Sequence, residues 1–290
     1  VGYTGMRLSL GASQLDYKLI GSFAALESRG EAKTLTIRLS RPVMSSKTAM
    51  ASLALAHSAS RYVNEANAIV ISEKSLQASM LSLNGYWLGT GANAGIAQWL
   101  IALSAGNLDL SANLDNQLAD ASGLRSAGDF EKLNLSASYI TPLSQLTTLI
   151  VSLAGQYAKQ NLDSSQKFSL GGPQGMRAHP SSEGAGDDGF MLNVEIEATV
   201  APQTKVSAFY DFGEIRLNKM PAGSSLAVPN KYSLRGWGVS AGHRFGQRSE
   251  FKLTFGRRIG DNPAASDISG NDNDGTLIEN RVWLSWMMNL

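Results

Sequence analysis

The chain has no cysteine among its 290 residues. That absence removes disulfides, thiolate metal sites and a cysteine nucleophile together. Charge of one sign is also missing: 25 basic residues against 24 acidic ones leave a net +1. No nucleic-acid partner is expected, because that would need a clustered basic face. Long apolar runs are absent too. Only 43% of residues are apolar, and no window approaches the eighteen or so consecutive apolar residues of a transmembrane helix. The chain opens VGYTGMRLSL, with neither an initiator methionine nor a signal peptide. A mature or truncated chain would open this way, so upstream sequence is expected.

What is present is alternation. Leu35, Ile37 and Leu39 alternate with Thr34, Thr36, Arg38 and Ser40, and Phe251, Leu253 and Phe255 with Lys252, Thr254 and Gly256. In the last segment Val282, Leu284, Trp286, Met288 and Leu290 share one face. Arg281, Trp283, Ser285, Met287 and Asn289 share the other. Period two places such sets on opposite sides of a sheet. Segments of this kind span residues 3–14, 31–43, 48–61, 73–86, 93–106, 130–141, 146–160, 188–200, 203–215, 232–245, 249–260 and 277–290. Most reach the length of about ten residues that a tilted strand needs to cross a bilayer core. Ordinary globular strands stop at about five or six.

The second face carries serine, threonine, glycine, glutamine and some charge, as a wet lumen requires. Short links (42–47, 142–145, 201–203 and 246–248) alternate with long ones (106–129, 161–187, 216–231 and 261–276). The fold class predicted is all-β: an antiparallel transmembrane β-barrel of the outer-membrane type, with about twelve strands in this chain. Strand length, loop asymmetry and the polar second face count against a soluble β-sandwich or solenoid. A sheet in hydrocarbon must close to hide its backbone edges. Either these strands close alone or upstream sequence adds more. The final strand, apolar at alternate positions up to Leu290, resembles the terminal signal read by barrel-assembly machinery, whose usual last residue is aromatic. Outer-membrane lipid and that machinery are therefore expected partners.

Catalytic patterns find no support. No serine lies in a G-x-S-x-G elbow, and Gly171-Gly172-Pro173-Gln174-Gly175 lacks the Lys-Ser/Thr of a phosphate loop. Asp272-Asn273-Asp274-Gly275 supplies only half a calcium loop. His57, His179 and His243 lie in separate segments without zinc-ligand spacing. No enzymatic activity, cofactor or metal is expected.

The most informative segment is Phe168 to Gly189, FSLGGPQGMRAHPSSEGAGDDG, a glycine-rich, strand-poor insertion. A long loop of this kind in a repetitive β protein is usually functional. At its centre sits Arg177, with almost no other basic residue nearby. On segment 203–215, Val206, Ala208, Tyr210 and Phe212 share one face, and Ser207, Phe209, Asp211 and Gly213 the other. On the preceding segment Asn193, Glu195 and Glu197 oppose Leu192, Val194 and Ile196. A lipid-facing charge costs about 2–4 kcal/mol near the midplane for a basic group, and less for an acidic one. The carboxylates are therefore assigned to the lumen. If the loop folds back into the barrel, Arg177 can meet Asp211 and one of Glu195 and Glu197, its planar fork gripping a carboxylate through two hydrogen bonds. The residues alone weigh this evenly against an exposed arginine on an extracellular loop.

Leu170-Gly171-Gly172-Pro173-Gln174-Gly175-Met176-Arg177-Ala178-His179-Pro180, followed by Gly186-Asp187-Asp188-Gly189, resembles a loop of the two-partner secretion outer-membrane transporters. In this haemolysin secretion/activation family (TpsB) the loop reads approximately LGG-x-x-G-V-R-A-Y-P, then G-D-x-G. Phe209, Asp211 and Gly213 match the family's F-x-D-x-G strand motif. Stretches 155–165 and 232–245 are also family-like, so the resemblance covers most of the chain and is strongest from about residue 150 onward. Met176 replaces a usual valine, and His179 replaces a usual tyrosine or phenylalanine, adding a titratable nitrogen at the loop tip.

The resemblance implies that residues 1–290 are the C-terminal part of a sixteen-stranded barrel, lacking two POTRA domains and about four initial strands, with loop 161–187 inserted. It implies a bacterial outer-membrane location and a large secreted exoprotein (TpsA-like, a haemolysin or adhesin) as partner, exported to the cell surface without ATP. It further implies a lumen clamp: Gly171, Gly172, Gly175, Arg177, Asp187 and Gly189 of the loop with Glu195, Glu197, Phe209, Asp211 and Gly213 of the wall. Two alternatives stand beside it. One is a barrel-assembly insertase of the same superfamily, with more POTRA domains; the other is a passive porin or adhesin barrel without the clamp.

Overall fold

A computed structural model describes residues 5–18, 27–91, 94–221, 229–246, 248–264 and 271–288. Along the chain run β1 (Arg7–Lys18), β2 (Arg29–Ser45), β3 (Ala49–Ala66), β4 (Ile69–Gly89), β5 (Gly95–Asp109), a helix α1 (Leu114–Ser122), β6 (Gly128–Pro142) and β7 (Thr147–Ala158). Two short strands, β8 (Phe168–Ser169) and β9 (Ala185–Gly186), follow inside the long insertion. The chain then continues through β10 (Asp188–Ala201), β11 (Thr204–Arg216), β12 (Lys231–Phe245), β13 (Ser249–Arg258) and β14 (Asn280–Met288). The twelve long strands form one sheet in chain order, each pairing antiparallel with its neighbour and β7 pairing directly with β10. β8 and β9 pair only with each other.

Every segment expected from alternation corresponds to one long strand, with three differences of detail. The first strand occupies 7–18 rather than 3–14, and residues 1–4 lie outside the described residues, as does Leu290. β3 and β4 run closer together than expected, because Asn67 (φ 49°) and Ala68 (φ 61°) both take left-handed conformations and close a two-residue turn. The long connection after β5 contains α1, whose Asn113 cap accepts the Asn116 N–H at 3.0 Å.

The alternation sorts side chains as the bilayer requires. Leu35, Ile37 and Leu39, like Val282, Leu284, Trp286 and Met288, are exposed on the outward face. An apolar array of this size would be a liability in water, whereas in hydrocarbon it is the solvated surface. On the β3–β4 hairpin the apolar rows Leu53, Leu55, Leu81 and Leu83 give way to a His57–Ser79 hydrogen bond (3.0 Å) and an Arg61–Glu73 ion pair (2.6 Å). From His57 to Ala66 the hairpin continues past this boundary by about 30 Å, at about 3.3 Å per residue. The turns over residues 46–48, 143–146 and 202–203 lie at the opposite end of the sheet.

The larger buried apolar side chains gather in two clusters where the insertion meets the wall. One cluster comprises Leu76, Leu108, Leu110, Phe130, Ala158 and Leu162. The other comprises Leu170, Met176, Ile215, Tyr232 and Leu234. The insertion contributes Leu162, Leu170 and Met176 to these clusters, packed against inward side chains of the strands.

Candidate functional site: a loop clamped to the lumen wall

The insertion between β7 and β10 is fixed first at its base. Lys74 of β4 binds Asp163 through both carboxylate oxygens at 2.8 Å, beside the buried Leu162. Asp187, fully buried, accepts the Leu162 N–H at 3.0 Å and the Lys219 N–H at 2.7 Å, with Lys167 Nζ at 3.2 Å. One carboxylate thus gathers the start of the insertion, its end and the connection after β11. A buried carboxylate is tolerated only when it is paired in this way. Gly189 lies just beyond, where a Cβ would come 2.6 Å from Ile215 Cδ1.

The loop then makes a compact turn. Met176 N–H donates to Leu170 O at 2.7 Å and Gly175 N–H to Gly172 O at 3.1 Å. Gly172 has a φ of +119°, open in practice only to glycine. Gly171 and Gly175 press against the Pro180 and Leu170 carbonyls, leaving no room for a side chain.

This turn delivers Arg177 to the wall. Its backbone N–H donates to Asp211 Oδ2 at 2.9 Å, its Nε to the same oxygen at 3.1 Å, and Nη2 to Oδ1 at 2.8 Å. Nη1 donates to Glu195 Oε2. The guanidinium lies 3.4 Å from the centroid of the Phe209 ring, a stacked cation–π contact. Sheet register explains the convergence: Asn193 pairs with Asp211 and Glu195 with Phe209, so these four side chains form one inward patch on β10 and β11. Glu197, one step further along the same face, does not join them. It pairs with Lys205 at 2.6 Å, because its register partner is Ser207, two residues away from Phe209. Gly213 lies under Leu170, where a Cβ would be 2.8 Å from Leu170 Cδ2.

Several contacts escaped the sequence reading. Asn193 Nδ2 donates to both Asp211 Oδ1 (2.8 Å) and Gly175 O (3.1 Å), tying wall to loop. Trp283 of β14 donates its indole N–H to Arg177 O at 2.7 Å. Gly236 and Gly256 provide the seat: a Cβ there would stand 2.5 Å from Ala178 Cβ and 2.8 Å from Arg177 O respectively. The available signal was inward-facing glycine inside long strands, which marks a close backbone approach.

A second network covers the loop from outside. Asp272, fully buried, accepts from Arg258 Nη1, Asn262 Nδ2 and Arg281 Nη2, each at 3.0 Å. The half-calcium sequence around it thus binds arginines. Asn273 N–H donates to Glu183 Oε2 of the loop at 2.8 Å. His179, almost wholly buried, approaches Arg235 O through Nε2 at 3.3 Å. Burial pushes its imidazole below the usual histidine range; the Arg235 carbonyl and Asp272 oppose this, while Arg258 and Arg281 add to it.

Long strands with apolar outward faces, carrying a loop held against the inner wall by an arginine between two carboxylates, define an outer-membrane β-barrel with an inserted lumen loop. Residues 1–245 match the haemolysin secretion/activation protein family ShlB/FhaC/HecB, and the chain belongs to that family. Its place is the bacterial outer membrane. The chain is 26% identical over 257 residues to the heme/hemopexin transporter protein HuxB of Haemophilus influenzae (strain 86-028NP), covering 87% of this chain and 44% of that protein. It is 28% identical over 198 residues to the outer membrane transporter CdiB of Dickeya dadantii (strain 3937), covering 67% of this chain and 34% of that one. The chain therefore spans less than half the length of these relatives. The solved structure of CdiB from Escherichia coli shares the fold, with a TM-score of 0.76 at 16% identity over 98% of this chain and 51% of that one.

Proposed function

We propose that the protein containing this chain is an outer-membrane translocator that secretes a large partner exoprotein from the periplasm to the cell surface. The observation that carries this reading is the seating of the Arg177 loop. The loop occupies the lumen face through ion pairs, hydrogen bonds and glycine contacts, not as a strand of the wall. A segment held this way can leave its seat without breaking the sheet, which a conduit for a polypeptide needs. Family membership and relatives named as transporters support the same reading.

The reading has the following parts. An upstream POTRA pair captures an unfolded, β-helix-forming partner in the periplasm. The partner passes through the barrel, and its folding at the surface gives direction without ATP or catalysis. Arg177 with Asp211 and Glu195 holds the loop, while Gly171, Gly172 and Gly175 shape its turn. Asp187 with Gly189 fixes its base, and Phe209 with Gly213 forms the surface beneath it. Glu197, paired to Lys205, belongs to the wall instead.

The test is a secretion assay on the full-length gene, its deletion and Arg177→Ala, following the large exoprotein in medium and periplasm. Removing one partner of a buried pair costs about 3–5 kcal/mol, so export should fall in the mutant while barrel abundance holds. Normal secretion at normal abundance refutes the clamp. Unchanged export with general loss of outer-membrane proteins on depletion would instead favour an insertase.

A further inference from the structure

Glu195 has a second cation within reach. Its Oε2 accepts from Arg177, while its other oxygen, Oε1, faces Lys252 Nζ of β13 at 4.0 Å. The two ends of that longer contact differ in freedom. The Glu195 side chain is 11% exposed and the Lys252 side chain 42% exposed. Lys252 also stands where two lumen cavities meet. One, of about 340 Å³, lies under the loop tip and is lined by Arg177, Glu195 and Trp283. The other, of about 220 Å³, opens toward the short turns beside Ser207 and His243. The ammonium thus has room to move, and among the described residues its ion-pair contact is the 4.0 Å one to Glu195.

Charge bookkeeping at the seat shows what this freedom is for. With the loop seated, Arg177 faces two carboxylates, Asp211 and Glu195. When the loop leaves, both lose their guanidinium, and an unpaired buried carboxylate strongly opposes its own formation. Among the described residues Lys252 is a second cation within reach, facing Glu195 Oε1 at 4.0 Å. We propose that Lys252 is a stand-in counter-ion: it closes onto Glu195 when Arg177 withdraws, and so makes the released state of the loop accessible. Lys252 acts through Glu195, as a positioning residue for release and not as part of the seated clamp. This rests on the proposal that the loop leaves its seat.

The sign of the effect separates this role from a structural one. If Lys252 merely braced the clamp, removing it would loosen the loop. As a stand-in, its removal tightens the loop, because the released state, without Arg177, depends on Lys252 more than the seated state does, where the contact is only a 4.0 Å one. The experiment uses the full-length protein in lipid bilayers, with any cysteine outside residues 1–290 replaced by serine and a nitroxide on Gln174→Cys, a position exposed at the loop turn. Electron paramagnetic resonance then gives the released fraction. Lys252→Met should lower it about tenfold, equivalent to about 1.4 kcal/mol, and Lys252→Arg should preserve it. In a Glu195→Gln background no charge is stranded opposite Lys252, so Lys252→Met should have no effect. Arg177→Ala serves as the control and should raise the released fraction. If Arg177→Ala leaves the label seated, the mobile-loop reading fails. If Arg177→Ala frees the loop but Lys252→Met leaves it unchanged or looser, the stand-in role alone is overturned.

Discussion

Replacing Asp211 with alanine isolates the strongest contact of the loop. The carboxylate is fully buried and accepts three hydrogen bonds from Arg177, at 2.9, 3.1 and 2.8 Å, plus one from Asn193 at 2.8 Å. Losing one member of a buried pair costs about 3–5 kcal/mol, chiefly because the other charge is left without a partner. Arg177 keeps Glu195, so the lower end of that range applies. About 3 kcal/mol in the seating equilibrium is a factor of about a hundred in the ratio of seated to released loop. Amide hydrogen exchange in lipid nanodiscs reads this at the Met176 N–H, buried in the seated loop, whose acceptor, Leu170 O, the substitution leaves in place. Its protection should fall about a hundredfold in Asp211→Ala, with the strand amides of β12 unchanged as an internal control. Asp211→Asn, which keeps an acceptor of the same shape, should fall between the two. A loss of protection under about threefold in Asp211→Ala would show that the glycine seat and the base anchors hold the loop unaided, and the reasoning from buried charge would be wrong.

Gly236→Val tests the seat independently: the new Cβ would meet Ala178 Cβ at 2.5 Å, while valine itself suits a strand. The barrel should assemble, with normal heat-modifiable migration, and the loop should become sensitive to external protease. The loop's pH response follows from His179. Because burial lowers its pKa in the seated loop, the released loop binds a proton more readily. Seating is therefore at full strength above the ordinary histidine value of about 6.5 and weakens as pH falls below it. Loop exchange measured at pH 7.5 and pH 5.5 should show this weakening, and His179→Phe, which keeps a ring without the titratable nitrogen, should abolish it.

Much of this architecture was legible because β-strands report their surroundings locally. Leu35, Ile37 and Leu39 face lipid for the same reason they alternate, and register needs no distant information once one face must be apolar. The inward direction of Asn193, Glu195, Phe209 and Asp211 followed from the same rule. Where alternation is interrupted, the sequence is weaker. The turn at Asn67–Ala68 and the helix over Leu114–Ser122 depend on local backbone conformations that period two does not encode.

The amino-acid sequence by itself determined the number of spanning strands, their faces and the presence of one long insertion with a single arginine at its centre. Only the tertiary structure decided where that arginine goes. The choice of Glu195 over Glu197 depends on cross-strand register and on Lys205 claiming the other carboxylate. The seat on Gly236 and Gly256, and the Trp283 bond to Arg177 O, join residues far apart in the chain. Strand faces are set by the nearest neighbours in sequence and by the solvent, whereas a loop's seat is set by surfaces that exist only once the wall has formed.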